Sequence, residues 1–219
     1  MNTDLITYYK DRAKEYENIY LKPERQEEIN KVSTILQDIF SGKNVFEIAC
    51  GTGYWTEKIA QTACSVFATD INESVIDVAK QKNYNNANVT FGIEDIFEIR
   101  GTKKHENLFG GFIWSHVPLQ DLTALLQTIN SLVLPGGTVA FLDNNYVEGS
   151  SLPITKTDEH GNTYQSRKLE NGSEHLVLKN FPTETSLRNQ LEIYIQNIQF
   201  IKLKYYWIVS YTTKANGGN

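Results

Sequence analysis

The sequence predicts an α/β fold, a doubly wound, mostly parallel sheet of seven strands with an antiparallel C-terminal hairpin. Short apolar runs alternate with amphipathic segments from about residue 44 to residue 142. Several of these runs are continuously apolar, as strands covered on both faces of a parallel sheet are. The last two runs, Phe200–Tyr206 and Trp207–Thr212, follow each other too closely for a crossover and therefore pair as a hairpin.

The composition limits the classes of protein that this chain can belong to. The 219 residues, 40% of them hydrophobic, suffice for one domain, which we expect to span residues 1–219. A net charge of −5 disfavours nucleic-acid binding, which needs a basic surface. The two cysteines, Cys50 and Cys64, have no metal-ligand spacing, so no metal is expected. The acidic N-terminus and the lack of a long apolar run predict a cytosolic protein without a signal peptide or membrane span.

The first 42 residues predict a helical cover. Residues 4–20 form an amphipathic pattern in which Tyr9, Tyr16 and Tyr20 are seven and then four positions apart, so they share one helical face. A second helix begins near Pro23 and ends at Gly42.

The central region predicts the alternating elements of the sheet. The expected strands are Val45–Ala49, Val66–Asp70, Val89–Ile93, Leu108–Ser115 and Thr138–Leu142, the last one after a Pro135-Gly136-Gly137 turn. The expected helices are Tyr54–Gln61, Glu73–Lys82 and Leu119–Leu132. Together they predict a parallel, doubly wound sheet.

Residues 144–182 interrupt this alternation. They are polar and rich in glycine and proline, and a stretch of this length without a core pattern is usually functional. We expect a lid over the carboxyl ends of the strands. A last helix, Glu184–Gln196, precedes the hairpin.

A glycine-rich turn follows the first predicted strand. Gly51 and Gly53 allow a close approach of the backbone to a ligand. A dinucleotide fingerprint needs a third glycine, but Thr56 stands at that position. The turn is therefore an incomplete match to a dinucleotide site, and a turn of this kind can also be a simple strand–helix connection.

Three carboxylates at successive strand ends narrow the choice of ligand. Glu47 precedes the turn, Asp70 ends the second strand, and Asp95 follows the third. They suit a cationic amino group, a ribose diol and an exocyclic amine, and they would repel a pyrophosphate. The pattern favours an adenosine that carries an amino acid.

At these residues the chain resembles class I S-adenosylmethionine-dependent methyltransferases, which have a Rossmann-like fold. The resemblance rests on Val45–Gly53, on Ala68-Thr69-Asp70-Ile71 and on Gly92-Ile93-Glu94-Asp95-Ile96, and it covers roughly residues 40–213. It implies S-adenosylmethionine as the cofactor. In the implied site the backbone from Ala49 through Gly51 to Gly53 passes beneath the methionyl part, and Glu47 orients the amino end. Asp70 then holds the ribose, Ile71 and Ile96 enclose the adenine, and Asp95 accepts its amine.

The acceptor side of the implied site depends on the residue types after the fourth strand. His116 lies there, where a neutral histidine can take a proton from an oxygen, nitrogen or carbon nucleophile. The N-terminal tyrosines are similar to those of a small-molecule subgroup, including indole C3-methyltransferases. That similarity implies that Tyr9 or Tyr20 acts with His116, and that Tyr8 or Arg12 contacts the carboxylate of the cofactor. It favours a small acceptor. The tyrosines can instead form a passive aromatic box that holds a cationic or aromatic acceptor by π contacts.

Other functions are compatible with the same residues. A cofactor-binding protein without activity needs the same carboxylates, and an RNA or protein methyltransferase uses the same fold. The acidic balance and the tyrosine-rich cover favour a small acceptor. The sequence leaves open the identity of the acceptor, the atom that is methylated and the oligomeric state.

Overall fold

The computed structural model describes residues 8–9, 12, 15–84, 88–99 and 103–214. It confirms the predicted fold class. A seven-stranded sheet has the order β3-β2-β1-β4-β5-β10-β9. Its strands are β1 Asn44–Ile48, β2 Ser65–Asp70, β3 Asn88–Ile93, β4 His105–Gly111, β5 Val133–Asn144, β9 Ile195–Lys202 and β10 Tyr206–Thr213. The first five strands are parallel, and β10 pairs antiparallel with both β5 and β9.

Helices cover both faces of this sheet. They are α1 Gln26–Phe40, α2 Tyr54–Ile59, α3 Glu73–Ala79, α4 Leu122–Leu132 and α5 Glu184–Leu191. Two apolar clusters result, one on each face. Leu36 of α1 packs into the first cluster, and Leu125 of α4 and Leu187 of α5 pack into the second, all without solvent exposure. None of the helices that the structure describes is long and apolar enough to cross a membrane.

The fifth strand is longer than the sequence predicts. It begins at Val133 and includes the Pro-Gly-Gly segment that we expected to be a separate turn. A Cβ atom on Gly137 would lie 2.3 Å from the carbonyl oxygen of Glu106, so only glycine allows β5 to approach β4 here. The predicted strand Leu108–Ser115 ends early, at Gly111, because Phe112 has a positive φ of 59° and turns the chain.

The segment 144–182 contains a small antiparallel sheet. Its strands are β6 Lys156–Thr157, β7 Thr163–Lys168 and β8 Glu174–Leu178, in the order β6-β7-β8. The amide of Asn180, just after β8, donates to the carbonyl of Ser115 over 2.8 Å. The small sheet is therefore attached to the chain that follows β4, at the carboxyl ends of the parallel strands.

The N-terminal segment differs locally from the predicted helix. The prediction over residues 4–20 lies partly outside the described residues. Tyr8, Tyr9 and Arg12 have helical backbone, but Tyr16–Leu21 is a 3₁₀ helix, and a second 3₁₀ turn covers Pro23–Arg25 before α1 begins. The predicted helix Glu184–Gln196 likewise ends early, at Leu191, and β9 already begins at Ile195.

Candidate active site

A cleft opens where the parallel strands end, which is the usual ligand position in this class of sheet. It is lined by the turn after β1, the ends of β2 and β3 and the chain after β4. Seven predicted site residues lie on its surface: Tyr9, Ala49, Gly51, Asp70, Ile71, Asp95 and Ile96. His116 is an eighth, so the fold brings most of the predicted set together.

The turn after β1 has the left-handed backbone that the glycines allow. The φ angles are 51° at Ala49, 56° at Gly51 and 77° at Gly53. A Cβ atom on Gly51 would contact only Tyr16, at 3.9 Å, so the space beside Gly51 belongs to the cleft. Gly53 lies off the cleft surface, where a Cβ atom would meet the hydroxyl of Tyr84 at 2.6 Å. Alanine at position 49 keeps this conformation at a cost of about 1–2 kcal/mol.

Asp70 is held in place by the backbone of the site. The amides of Gly51 and Asn72 each donate to one of its carboxylate oxygens, both over 2.9 Å. Burial raises the pKa of Asp70, and these amide bonds oppose the rise. An oriented carboxylate on the cleft surface fits the two hydroxyls of a ribose, as the sequence predicts.

Apolar side chains form a slot beyond Asp70. Ile71, Val75 and Ile96 line the cleft there, with Asp95 next to Ile96. The amide of Phe97 donates to Asp95 over 2.9 Å, which orients the carboxylate. A flat aromatic base with an amino group fits between such side chains.

Glu47 lies beneath the turn and does not line the cleft. Its side chain is 1% exposed, and its Oε2 atom has no hydrogen-bond partner among the described residues. Burial raises the pKa of Glu47 to about 8. A buried acceptor without a partner is costly, so this atom is suited to accept from a cationic amino group or a bridging water. The predicted contact with the amino end of the cofactor stays a prediction.

His116 and Tyr9 form a hydrogen-bonded pair on the cleft surface. The carbonyl of Leu178 lies 2.6 Å from Nδ1 of His116, so Nδ1 carries the proton and donates. Nε2 then accepts from the hydroxyl of Tyr9 over 2.7 Å. Burial, together with the nearby Lys179 and Arg167, holds the pKa of His116 well below its usual range. Burial also raises the pKa of Tyr9, so both side chains are neutral near pH 7.

Tyr20 belongs to the core and does not line the cleft. It is 4% exposed, it stacks on Tyr54 with ring centroids 3.8 Å apart, and its hydroxyl accepts from Trp55 over 3.1 Å. The 3₁₀ backbone turns once every three residues, so Tyr20 does not keep the face that a 3.6-residue period gives it. Of the two predicted tyrosine partners, only Tyr9 contacts His116.

A second cavity of about 590 Å³ adjoins the cleft. It lies between the N-terminal segment and the small sheet, and Tyr8 and Arg12 line it rather than the cleft. Four residues, which we call the shared wall, line both spaces: Tyr9, Tyr16, Phe112 and His116. A group bound in the cleft and a group bound in the second cavity would meet at this wall.

A buried ion pair supports the chain that carries His116. Asp143, at the end of β5, is fully buried and accepts from the amide and the hydroxyl of Ser115, over 2.9 and 3.0 Å. Lys179 donates to Asp143 over 2.9 Å and to the hydroxyl of Ser115 over 2.6 Å. This network was not predicted from the sequence. The one signal was an acidic residue at the end of an apolar strand, as at Asp70.

No cluster of three potential metal ligands occurs in the part of the chain that the structure describes. The polar groups on the cleft surface include the three carboxylates of Asp70, Glu94 and Asp95, backbone amides and a histidine, a set that fits an adenosyl amino acid.

Comparisons with known proteins agree with this geometry. A family model described as a methyltransferase domain matches residues 45–137. The chain is 29% identical over 116 residues to malonyl-[acyl-carrier protein] O-methyltransferase 2 of Ilyobacter polytropus, covering 51% of this chain and 43% of that protein. It is 28% identical over 107 residues to the ubiquinone biosynthesis O-methyltransferase of Coxiella burnetii, covering 48% and 45%. The match therefore spans less than half the length of either relative.

Solved structures resemble the chain over nearly its whole length. The DhpI–SAH complex superposes with a TM-score of 0.78 and 23% identity, covering 96% of both chains. The DhpI–SAM–HEP complex superposes with a TM-score of 0.76 and 23% identity, covering 96% of this chain and 98% of that one. At this identity the likeness establishes the fold.

Proposed function

We propose that this chain is a class I S-adenosylmethionine-dependent methyltransferase that methylates a small molecule bound in the second cavity. The methyltransferase-domain match over residues 45–137 and the fold shared with the DhpI complexes support the proposal. One observation carries the proposal. The cleft that suits the cofactor and the second cavity share the wall formed by Tyr9, Tyr16, Phe112 and His116.

The cleft residues fit the cofactor part by part. Asp70 would hold the ribose, and Ile71 and Ile96 would enclose the adenine. The unpartnered oxygen of Glu47 would take the amino end, directly or through water. When bound, S-adenosylmethionine supplies an activated methyl group. As the nucleophile bonds to the methyl carbon, the carbon–sulfur bond breaks and its electron pair stays on the sulfur.

Tyr9 and His116 can together remove the proton of a nucleophile that binds in its protonated form. The Tyr9 hydroxyl donates to Nε2 of His116, so it can pass its own proton to Nε2 while its oxygen takes one from the nucleophile. The Nδ1 bond to Leu178 keeps His116 in the tautomer that can accept. The shared wall would also limit the directions from which a nucleophile can approach the methyl group, and such orientation contributes much of the rate in a displacement of this kind.

The first test measures binding of the cofactor. Calorimetric titration with S-adenosylhomocysteine should give saturable binding, because the cleft presents an oriented carboxylate and an apolar slot. Absence of binding at millimolar ligand would contradict the proposal.

The second test separates catalysis from binding. His116→Gln should lower kcat by about 10²–10⁴-fold, the usual contribution of a general base, and leave the affinity for S-adenosylhomocysteine nearly unchanged. His160→Gln is the matched control, because His160 is exposed on the small sheet side of the molecule. Equal activity of the two variants on a small acceptor would refute the role of His116.

A further inference from the structure

Positive charge dominates the lining of the second cavity. Six cationic side chains line it, against the single carboxylate of Glu15: Arg12, Lys22, Arg25, Arg167, Lys168 and Lys179. The chain as a whole is acidic, with a net charge of −5, so this lining is a local excess. Lys179 is neutralised by Asp143, 2.9 Å away. Within the described residues, no carboxylate forms an ion pair with Arg12, Arg25 or Arg167.

Two of these arginines converge on one neutral group. Arg12 donates to the hydroxyl oxygen of Tyr8 over 2.7 Å, and Arg167 donates to the same oxygen over 3.5 Å. Both guanidinium groups also lie over the Tyr8 ring, 5.6 and 5.7 Å from its centroid. Tyr8 is 1% exposed, so water screens the two charges poorly. A phenol cannot compensate two cations that repel each other, whereas an anion bound between them would.

Arg167 also has a donor without a partner. Its Nε atom is buried and makes no hydrogen bond among the described residues, although one terminal nitrogen donates to Gln165 over 3.0 Å. A buried, charged donor without an acceptor is costly and is usually satisfied by a ligand or water. Nε and a terminal nitrogen of a guanidinium group form the planar fork that binds two oxygens of one oxyanion.

The arginine pair lies beside the shared wall. Tyr8 and Tyr9 are in edge contact, with ring centroids 5.0 Å apart, and Tyr9 bonds to His116. Arg12, Arg167, Tyr9 and His116 all line the second cavity. An anion held by the two arginines would therefore lie in the same cavity as the position where the methyl group is transferred.

We propose that the acceptor is a small molecule that carries an oxyanion, a carboxylate or a phosphoryl group, and that Arg12 and Arg167 bind this group. The inference rests on the proposed function, and it names the class of acceptor. It also assigns Tyr8 and Arg12 to the acceptor rather than to the carboxylate of the cofactor.

The test measures anion binding to the protein saturated with S-adenosylhomocysteine. Propionate and methylphosphonate are titrated at constant ionic strength in chloride, with thermal stabilisation and calorimetry as readouts. At least one of them should bind saturably, and the stronger of the two identifies the planar or the tetrahedral oxyanion. Arg12→Gln and Arg167→Gln should each weaken this binding by about tenfold or more, since each removes a charged hydrogen-bond donor.

Two further variants make the result specific. Arg188→Gln is the matched control, because Arg188 lies on α5 and pairs with Glu184 at the surface. It should bind the anion as the wild type does. Arg167→Lys keeps the charge but loses the fork, so it should fold and bind the anion with intermediate affinity.

The outcomes that would contradict the acceptor inference can be distinguished from those that would contradict the proposed function. If the loaded wild type binds neither anion, or if Arg167→Gln binds as the wild type does, the acceptor inference is wrong and the proposed function stands. If Arg12→Gln or Arg167→Gln loses affinity for S-adenosylhomocysteine itself, the arginines serve the cofactor and the inference is also wrong. If the wild type does not bind S-adenosylhomocysteine, the proposed function fails and this inference fails with it.

Discussion

Replacing Lys179 by methionine should destabilise the protein by about 3–4 kcal/mol at pH 7. The substitution keeps most of the side-chain volume and removes the cation that pairs with the fully buried Asp143. Asp143 keeps its bonds from the amide and hydroxyl of Ser115 and from the amide of Asn144, but it loses its counter-ion. Breaking one half of a buried pair typically costs 3–5 kcal/mol, because the remaining charge is uncompensated.

The upper end of this range has a physical limit. The carboxyl group can escape the penalty by taking up a proton, and protonating an ordinary aspartate at pH 7 costs about 4 kcal/mol. The destabilisation by Lys179→Met should therefore shrink as the pH falls toward 5, where protonation costs less. At pH 7 it corresponds to a fall in Tm of about 6–16 °C for a chain of this size.

Urea unfolding followed by circular dichroism measures the effect. Lys31→Met is the matched control, because Lys31 pairs with Glu27 on the exposed face of α1 and should contribute less than about 0.5 kcal/mol. Adding Asp143→Asn to Lys179→Met should recover part of the loss, since it removes the stranded charge. If Lys179→Met and Lys31→Met cost the same, the ion pair does not support the His116 segment as described.

Three shorter predictions address the cleft, the turn and the histidine. Asp70→Asn should weaken binding of S-adenosylhomocysteine by about 10–100-fold, because ribose hydroxyls lose a charged acceptor; calorimetry measures this, and unchanged affinity would remove Asp70 from the site. Gly53→Ala should lower the free energy of unfolding, measured in urea, more than Gly149→Ala does. Both glycines have a positive φ, but only at Gly53 would a new Cβ atom also contact Tyr84 and Ala79. Equal losses of unfolding free energy would contradict this packing argument. The lowered pKa of His116 means that this side chain gains a proton below about pH 6.5 in the unfolded chain but not in the folded protein. Its contribution to stability should therefore fall there by up to about 1.4 kcal/mol per pH unit, measured by urea unfolding as the difference between the wild type and His116→Gln. His116→Gln should lack this component, and identical pH profiles would show that His116 is not buried as a neutral base.

The features that could be predicted from the sequence are local in the chain. The glycine turn and Asp70 are strand-end features that short patterns report, and the structure brings them into one cleft. Because parallel strands place their carboxyl ends at one edge of the sheet, the approximate position of His116 also follows from the order of the elements.

The features that were missed depend on contacts between distant segments. The bond from Lys179 to Asp143, which was missed, joins residues 36 positions apart. The pairing of His116 with Tyr9, 107 positions away, followed only from the family resemblance, which left Tyr20 as an alternative partner. The strand Thr163–Lys168 is polar and short, so it has no apolar alternation that would predict the small sheet. Tyr20 does contact Tyr16, with ring centroids 6.1 Å apart, but periodicity cannot distinguish an α-helix from a 3₁₀ helix over six residues, so it could not show that Tyr20 lies in the core away from His116.

A crystal structure with bound S-adenosylhomocysteine would test the central claim most directly. We expect the ribose on Asp70, the adenine between Ile71 and Ile96, and the sulfur directed at the shared wall, with room for a nucleophile beside the Tyr9 hydroxyl. A sulfur atom that points away from Tyr9 and His116, or a ligand bound outside the cleft, would contradict methyl transfer at the junction of the two cavities.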